Sequence, residues 1–280
     1  YRAASLDSLF LSSSERLAKL LTNRQQNQEK SREHAWSGKV NANYFSKVAH
    51  TPDYFKIEVN ADFEHKTGTI FSDYRLRYGQ SAQSLRPDEH QLRFVDVPTT
   101  KIHAKFRTEY VYRPEWGSIT SFLEVSAAHL EDNRNFYRLD RLGASTPEFG
   151  ALPSTTAALL QTLDTPNSYD SRHNSLNGTL GARCTIWLGG KLPNQHITFT
   201  PTVNGSIERL TYRRDALHAH PRRNQLFFLP TLSWGFDNCH IIYRMHAAYP
   251  ELLNLLDYTD NADPLNLYCG NPHLQRSTSH

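Results

Sequence analysis

The segment from Tyr54 to Lys66 alternates strictly between apolar and polar side chains. The odd positions are apolar and the even positions are polar or charged, and the apolar set is Phe55, Ile57, Val59, Ala61 and Phe63. Successive side chains of a β-strand point to opposite faces, so the pattern predicts a strand with one apolar and one hydrated face. The apolar face has to be covered, either by a protein core or by the hydrocarbon of a membrane.

The same alternation recurs along the chain and predicts eight long strands, at 36–48, 54–78, 101–112, 118–130, 175–188, 195–212, 224–236 and 239–249. In the second of these strands the apolar positions change from odd to even numbers near Gly68, because Tyr74, Leu76 and Tyr78 follow. We expect a β-bulge at Thr67-Gly68, since one extra residue changes the phase of a strand. A hairpin at this point would instead make nine strands.

The connections between these strands alternate in length. The short ones are 49–53, 113–117, 189–194 and 237–238, and the long ones are 79–100, 131–174, 213–223 and 250–280. Short turns at one end and long loops at the other are typical of transmembrane β-barrels. Soluble sandwiches use strands of about 5–6 residues, whereas about 9–11 tilted residues cross a bilayer. The pattern therefore favours an all-β fold, a transmembrane antiparallel β-barrel, over a soluble β-sandwich.

The two faces of the predicted strands differ in chemistry. The apolar face has aromatic residues near strand ends, as expected at membrane interfaces: Tyr110, Tyr112, Trp234, Phe236, Tyr243 and Tyr249. The opposite face supplies the candidates for lining a lumen: Lys56, Glu58, Asp62, Lys105, Arg107, Glu109, Arg183 and Arg244. Pairing with one another or with a plug is the simpler role for these charges.

Composition and motifs exclude several function classes. The 31 Lys+Arg against 28 Asp+Glu give a net charge of +3, too small for a nucleic-acid-binding protein. The sequence contains no run of 18 or more apolar residues, so it predicts no transmembrane helix. Cys184, Cys239 and Cys269 do not have the spacing of a zinc site. The sequence contains neither a Gly-rich phosphate-binding loop nor a GxSxG nucleophile motif. His218 and His220 fit a solvated basic loop. We expect no enzyme, no cofactor and no metal site.

Three motifs near the C-terminus support a more specific hypothesis. They are Pro230-Thr231-Leu232 at a strand start, Asp263-Pro264-Leu265-Asn266, and Gly270-Asn271-Pro272-His273-Leu274. In these motifs, residues 226–280 resemble outer-membrane β-barrel proteins related to the TonB-dependent receptors of Gram-negative bacteria. The chain departs from the family pattern at Tyr249-Pro250, where relatives have Arg-Pro, and at Leu274-Gln275-Arg276, where they have Leu-Lys-Pro.

The resemblance implies the cell outer membrane and a barrel of about 22 strands that surrounds a plug. We expect eight strands from the middle of such a barrel, without the plug and the TonB box. The expected organisation is a polar loop or extension at 1–35, barrel strands with long exterior loops at 36–249, and a long loop with the Asp-Pro-Leu-Asn and Gly-Asn-Pro motifs at 250–280.

The implied function is nutrient uptake, as the barrel wall of a TonB-dependent-type transporter. The implied partners are outer-membrane lipid, TonB acting through a plug outside this chain, and a surface lipoprotein. Tyr258, Asp260 and Asp263 are candidates for binding a ligand, although Asp is also an ordinary turn former. Two alternatives are a non-transporting barrel that scaffolds a surface or secretion complex, and a soluble surface β-rich binding domain.

Overall fold

A computed structural model describes residues 23–78, 88–189, 195–236, 239–263, 266–275 and 277–279. Strands dominate, which confirms the all-β fold: Asn23–Lys47 (β1), Tyr54–Tyr78 (β2), Glu89–Tyr112 (β3), Gly117–Arg138 (β4), Tyr169–Trp187 (β5), His196–Thr200 (β6), Thr202–Arg214 (β7), Leu217–Ala219 (β8), Arg222–Phe228 (β9), Thr231–Phe236 (β10), Cys239–Arg244 (β11), His246–Ala248 (β12), Thr259–Asp263 (β13), Asn266–Cys269 (β14) and Ser277–Ser279 (β15).

Helical structure is short. In the described residues it consists of one α-helix, Thr156–Gln161 (α1), and of 3-10 turns at Leu139–Ser145, Thr165–Asn167 and Leu253–Leu255. None of the helices in the described part of the chain has the length and apolar character needed to cross a bilayer.

The main sheet follows the chain as a meander, in the order β1-β2-β3-β4-β5-β6-β10-β11, and β7 pairs with β5, β8 and β9. The predicted strands 195–212 and 224–236 are each divided at a proline, Pro201 and Pro230. Proline has no N–H to donate to the ladder. Pairing nevertheless continues through these sites, because Ala182 donates to the carbonyl of Pro201 and Met245 to that of Pro230. The eight predicted strands are therefore present, two of them with a break.

Several predicted boundaries were wrong because the strands are longer than expected. β1 begins at Asn23, so residues 23–35 are strand and not the expected polar loop or extension. β3 begins at Glu89 and β4 ends at Arg138, which shortens the predicted loops 79–100 and 131–174. β5 begins at Tyr169.

The predicted bulge in β2 was also wrong. β2 is continuous, and its exposed positions keep odd numbers on both sides of Gly68: Val59, Ala61, Thr67, Arg75 and Arg77. Its buried positions stay even: Gly68, Ser72, Tyr74 and Leu76. The phase of the strand does not change. What changes is the chemistry of each face, because the exposed side passes from apolar to charged residues.

The chain divides into two compact units, and β1 to β5 contribute residues to both. In the described ranges, the first unit comprises 23–35, 66–99 and 132–170, and the second comprises 36–65, 100–131 and 171–280. The first unit has an ordinary apolar core, in which Leu92, Phe94, Tyr137 and Leu139 are buried and Phe71, Phe149, Leu159 and Leu163 pack against them. α1 and the turn at Leu139–Ser145 supply part of this packing.

The first unit follows the pattern of a soluble protein, apolar inside and polar outside. Tyr74 and Leu76 are buried on β2, and the guanidinium carbon of Arg93 lies 4.2 Å from the centroid of the Tyr74 ring. The alternating positions Arg75 and Arg77 are exposed and charged. A polar exterior of this kind needs no cover other than water.

The main sheet is open within the described residues. β1 and β11 lie at its two ends, and each has a strand neighbour on one side only. No closed barrel is formed within these residues. The sequence predicts strands from the middle of a larger barrel, and that barrel stays a prediction.

Candidate functional site

The second unit has an exposed face that is apolar. Every large apolar strand residue that is exposed in the described structure belongs to this unit, and some are strongly exposed, such as Trp36 at 63% and Leu226 at 75%. Others on this face are Val40, Tyr44, Val59, Ile102, Phe106, Tyr110, Leu123, Leu176, Leu180, Ile186, Val203, Ile207 and Phe228. An apolar surface that continues from strand to strand marks contact with a membrane or a partner. We call it the apolar band.

The apolar band has a sharp border on each strand. Along the exposed face, polar residues give way to apolar ones between His34 and Trp36 on β1, Thr100 and Ile102 on β3, Asn174 and Leu176 on β5, Arg209 and Ile207 on β7, and Asn224 and Leu226 on β9. Polar side chains contact each other along this border. His65 Nδ1 lies 2.9 Å from Thr100 Oγ1, and His129 Nδ1 lies 2.8 Å from Asn174 Oδ1. The border on β2 therefore continues onto β3, and the border on β4 continues onto β5.

The height of the apolar band matches a bilayer. It extends over nine residues on β1, from Trp36 to Tyr44, and over eleven on β3, from Ile102 to Tyr112. A tilted transmembrane strand needs about 9–11 residues. Aromatic side chains mark both limits on these strands, with Trp36 at one and Tyr44 and Tyr112 at the other. Aromatic girdles of this kind occur at both interfaces of membrane barrels.

The opposite face of the second unit is charged, and its charges are paired. Arg107 lies at the centre of a network: its Nη1 is 3.2 Å from Glu124 Oε2, and its Nη2 is 3.1 Å from Glu109 Oε2. Lys105 Nζ lies 2.8 Å from the other oxygen of Glu124. These side chains are 17–33% exposed. Charges that are partly removed from water need partners, and the network supplies them.

The network continues towards β1. Lys56 Nζ lies 2.5 Å from Glu58 Oε1, and Asp62 contacts both Lys39 Nζ at 3.4 Å and His103 Nδ1 at 3.5 Å. The structure thus brings six of the predicted lumen-lining residues onto one face: Lys56, Glu58, Asp62, Lys105, Arg107 and Glu109. Glu124 belongs to the same network, although it was not among the residues predicted to line a lumen.

Arg183 and Arg244 share this face but not the network. Arg183 lies two residues before Thr185 on β5, so both side chains are on this face, and the Thr185 hydroxyl lies 2.9 Å from that of Thr198. Arg244 on β11 lies opposite Thr231 on β10. Neither arginine makes an ion pair with a residue that the structure describes. A second paired group was not predicted from the sequence: Glu208 accepts from Arg223 at 2.7 Å and lies 3.7 Å from His173. Its signal was the alternation of these polar residues with Ile207 and Leu226.

Among the predicted loop ligands, Tyr258 has a packing role. Its ring centroid lies 5.8 Å from that of Tyr212, and the guanidinium carbon of Arg214 lies 5.8 Å from the Tyr258 ring. The side chains of Asp260 and Asp263 lie outside the described residues, although their backbone belongs to β13. In the described ranges, no group of three His, Cys, Asp or Glu residues could hold a metal ion.

No protein-family model matches the chain, and no curated protein matches it significantly. The function therefore has to be inferred from the two faces of the second unit and from the resemblance of residues 226–280 to outer-membrane barrels.

Proposed function

We propose that the second unit crosses the bacterial outer membrane as part of a β-barrel wall, and that the barrel is a TonB-dependent-type transporter for nutrient uptake. The observation that supports this best is the apolar band, nine to eleven residues high on β1 and β3, on the face opposite a paired charge network. In this proposal the apolar band contacts acyl chains and the charged face lines the interior.

Hydrophobic free energy explains why the two faces point this way. Burying one large apolar side chain gains about 1.5–3 kcal/mol relative to leaving it in water. A surface with more than a dozen such residues would be strongly unfavourable in an aqueous protein. In a bilayer the same residues are covered by lipid, while the ion pairs around Arg107 tolerate an interior filled with water or a plug.

The transporter part of the proposal rests on the resemblance and on the open sheet. β1 and β11 each keep one side unpaired within the described residues, as expected for strands inside a larger wall. Arg183 and Arg244 would supply unneutralised positive charge to the interior, where lumen charges select among solutes or bind a plug. Outer-membrane lipid, TonB acting through a plug, and a surface lipoprotein are the partners that this proposal implies.

Quenching of tryptophan fluorescence by brominated phosphatidylcholine tests the membrane assignment. All four tryptophans are exposed, namely Trp36, Trp116, Trp187 and Trp234. We expect the protein to enter phosphatidylcholine vesicles with β-type circular dichroism, to show heat-modifiable gel mobility, and to be quenched by the bromine atoms. A monomer that stays in buffer without detergent and escapes quenching would show a soluble binding domain instead.

Transport is tested separately, in cells that carry or lack the complete gene. The uptake of labelled nutrients should fall when the gene is deleted, and the loss should be reproduced by deleting TonB. A protein that inserts into membranes but whose deletion changes no uptake would be a non-transporting scaffold.

A further inference from the structure

The apolar band ends on β7 and β9 in a group of exposed arginines. On the exposed face of β7, Val203 and Ile207 are followed by Arg209 and Arg213. On β9, Arg222 precedes the exposed Leu226 and Phe228. We call Arg209, Arg213 and Arg222 the arginine group.

Two members of the arginine group are direct cross-strand neighbours. Arg209 on β7 lies opposite Arg222 on β9 in the antiparallel register. Directly opposed residues share one face of a sheet, with Cβ atoms about 4.5–5.5 Å apart, and like charges there are destabilising. The pair therefore needs a compensating negative charge.

The described protein does not supply that charge. The side chains of Arg209 and Arg213 make no hydrogen bond or ion pair with any described residue, and that of Arg222 has only a long contact of 3.4 Å with the amide oxygen of Asn224. The carboxylate closest in sequence to Arg209, Glu208, is on the opposite face, where Arg223 and His173 contact it.

Three exposed arginines on other strands do have carboxylate partners. Arg75 lies 2.9 Å from Asp73, Arg77 lies 4.0 Å from Asp88, and Arg172 lies 3.2 Å from Glu131. Among the described residues, Arg183 and Arg244 also lack such partners, so what distinguishes the arginine group is the direct opposition of Arg209 and Arg222 at the edge of the apolar band.

The position of the arginine group selects the anion. Arg209 is two residues beyond Ile207, which is about 7 Å along the strand. The headgroup region of a bilayer extends about 5–8 Å beyond each side of the hydrocarbon. Guanidinium groups bind phosphate oxygens in a bidentate manner, so this height places them where lipid phosphates lie.

We propose that Arg209, Arg213 and Arg222 bind the phosphate groups of anionic membrane lipids at the edge of the apolar band. The inference rests on the proposed membrane insertion and adds a lipid specificity to it. The lipid phosphate supplies the negative charge that the Arg209–Arg222 pair lacks, and it fixes the depth of the wall in the bilayer.

Titration with short-chain phosphatidic acid tests the proposal. The full chain is refolded in a zwitterionic detergent, and the apparent dissociation constant is measured from the shift in thermal unfolding. Each basic residue near a membrane surface contributes about 1 kcal/mol to the free energy of binding anionic lipid. R209Q/R222Q should therefore bind phosphatidic acid about 30-fold more weakly. The matched control R75Q/R77Q removes the same charge from arginines that have carboxylate partners, and it should stay within about twofold of the unsubstituted protein.

Further arms separate the possible failures. If R209Q/R222Q does not fold, R209K/R222K keeps the charge but loses the bidentate geometry, and it should bind with intermediate affinity. Equal affinity for all variants would overturn the lipid site while leaving insertion into phosphatidylcholine, and so the proposed function, intact. An equal shift from inorganic phosphate alone would show a site for a free anion and overturn the lipid assignment. Failure of the unsubstituted protein to insert at all would overturn both.

Discussion

Trp36 on β1 and Phe63 on β2 face each other with ring centroids 4.6 Å apart, and yet Trp36 is 63% exposed. Aromatic pairs of this kind usually lie in a core, where their large area is removed from water. Here the pair lies at the border of the apolar band, and the ring of His65 is 6.0 Å from that of Trp36. An aromatic ring beside a polar side chain at such a border fits the interface between lipid and water.

A charge placed within the apolar band should destabilise the protein in a membrane. Phe106 is exposed and lies between the two limits of the apolar band on β3. We expect Phe106→Arg to lower the free energy of unfolding by about 2–4 kcal/mol in phospholipid vesicles, the cost of arginine near a bilayer centre. Urea titration followed by tryptophan fluorescence measures it.

The control for this change is Ser126→Arg, which places the same side chain on the charged face of β4. In the proposed barrel wall that face contacts water or a plug, so the cost should be small. In a soluble domain, by contrast, Phe106→Arg would be a surface change of about 0.5 kcal/mol or less, and such a value would contradict the membrane assignment.

Removing the charge of Glu124 should weaken the network on the opposite face. Its two oxygens accept from Lys105 at 2.8 Å and from Arg107 at 3.2 Å. We expect Glu124→Gln to lower the free energy of unfolding by about 1 kcal/mol, because exposed ion pairs contribute about 0.2–1 kcal/mol each. Unfolding experiments at low and high salt should show the loss shrinking as salt screens the wild-type pairs.

Glu115 provides the matched control, since it is exposed in the turn between β3 and β4 and has no ion pair with a described residue. Glu115→Gln should leave stability and its salt dependence unchanged. If both substitutions have equal effects, the network makes no specific contribution.

The sequence predicted the strands best where their faces differ most. From Ile102 to Tyr112, alternation of apolar and charged residues marks β3 clearly. From Glu89 to Thr100 the same strand has buried residues on both faces, since Arg93 lies over Tyr74 while Phe94 packs on Phe71. Period-2 patterning disappears when both faces are covered, so this half of the strand was interpreted as a loop.

The misassigned bulge in β2 has the same origin. Apolar residues move from Phe63 on odd positions to Tyr74 on even positions, and only a phase change could explain this if one face were apolar throughout. The structure shows instead that the exposed face keeps its phase and changes from apolar to charged residues. The charged face was predictable from alternation alone, whereas the partners within it depend on strand register, which a single sequence does not specify.

Acid should selectively weaken the first unit through Asp73. Burial opposes ionisation of this carboxyl, but hydrogen bonds from Arg75 at 2.9 Å and His90 at 2.7 Å outweigh it and hold the pKa of Asp73 below its usual value of 3.8. A lowered pKa contributes stability above the unfolded value, and this contribution is lost as pH falls through the folded value. Asp73→Asn should therefore reduce stability at neutral pH and flatten its decline in acid.

The measurement is the urea midpoint of unfolding of Asp73→Asn and of the unsubstituted protein, in detergent micelles, from neutral pH to below the usual pKa of an aspartate. The two curves should converge at the acidic end. Asp88→Asn serves as the control, because that carboxylate is 47% exposed and 4.0 Å from Arg77. Parallel curves for Asp73→Asn and the unsubstituted protein would exclude the contribution of Asp73.

The turn into β4 depends on a glycine that no larger residue can replace. A Cβ atom at Gly117 would overlap the backbone carbonyl oxygen of Thr185 on β5, and a backbone atom cannot move aside without breaking the pairing of these strands. We expect Gly117→Ala to lower the free energy of unfolding by about 1–3 kcal/mol, the usual cost of overpacking.

Gly38→Ala is the control, because nothing lies within 4 Å of a Cβ atom at Gly38 on β1. There the smaller conformational entropy of alanine in the unfolded chain makes the change neutral or stabilising. Similar urea midpoints for the two variants would show that β4 and β5 do not approach as closely as the structure places them.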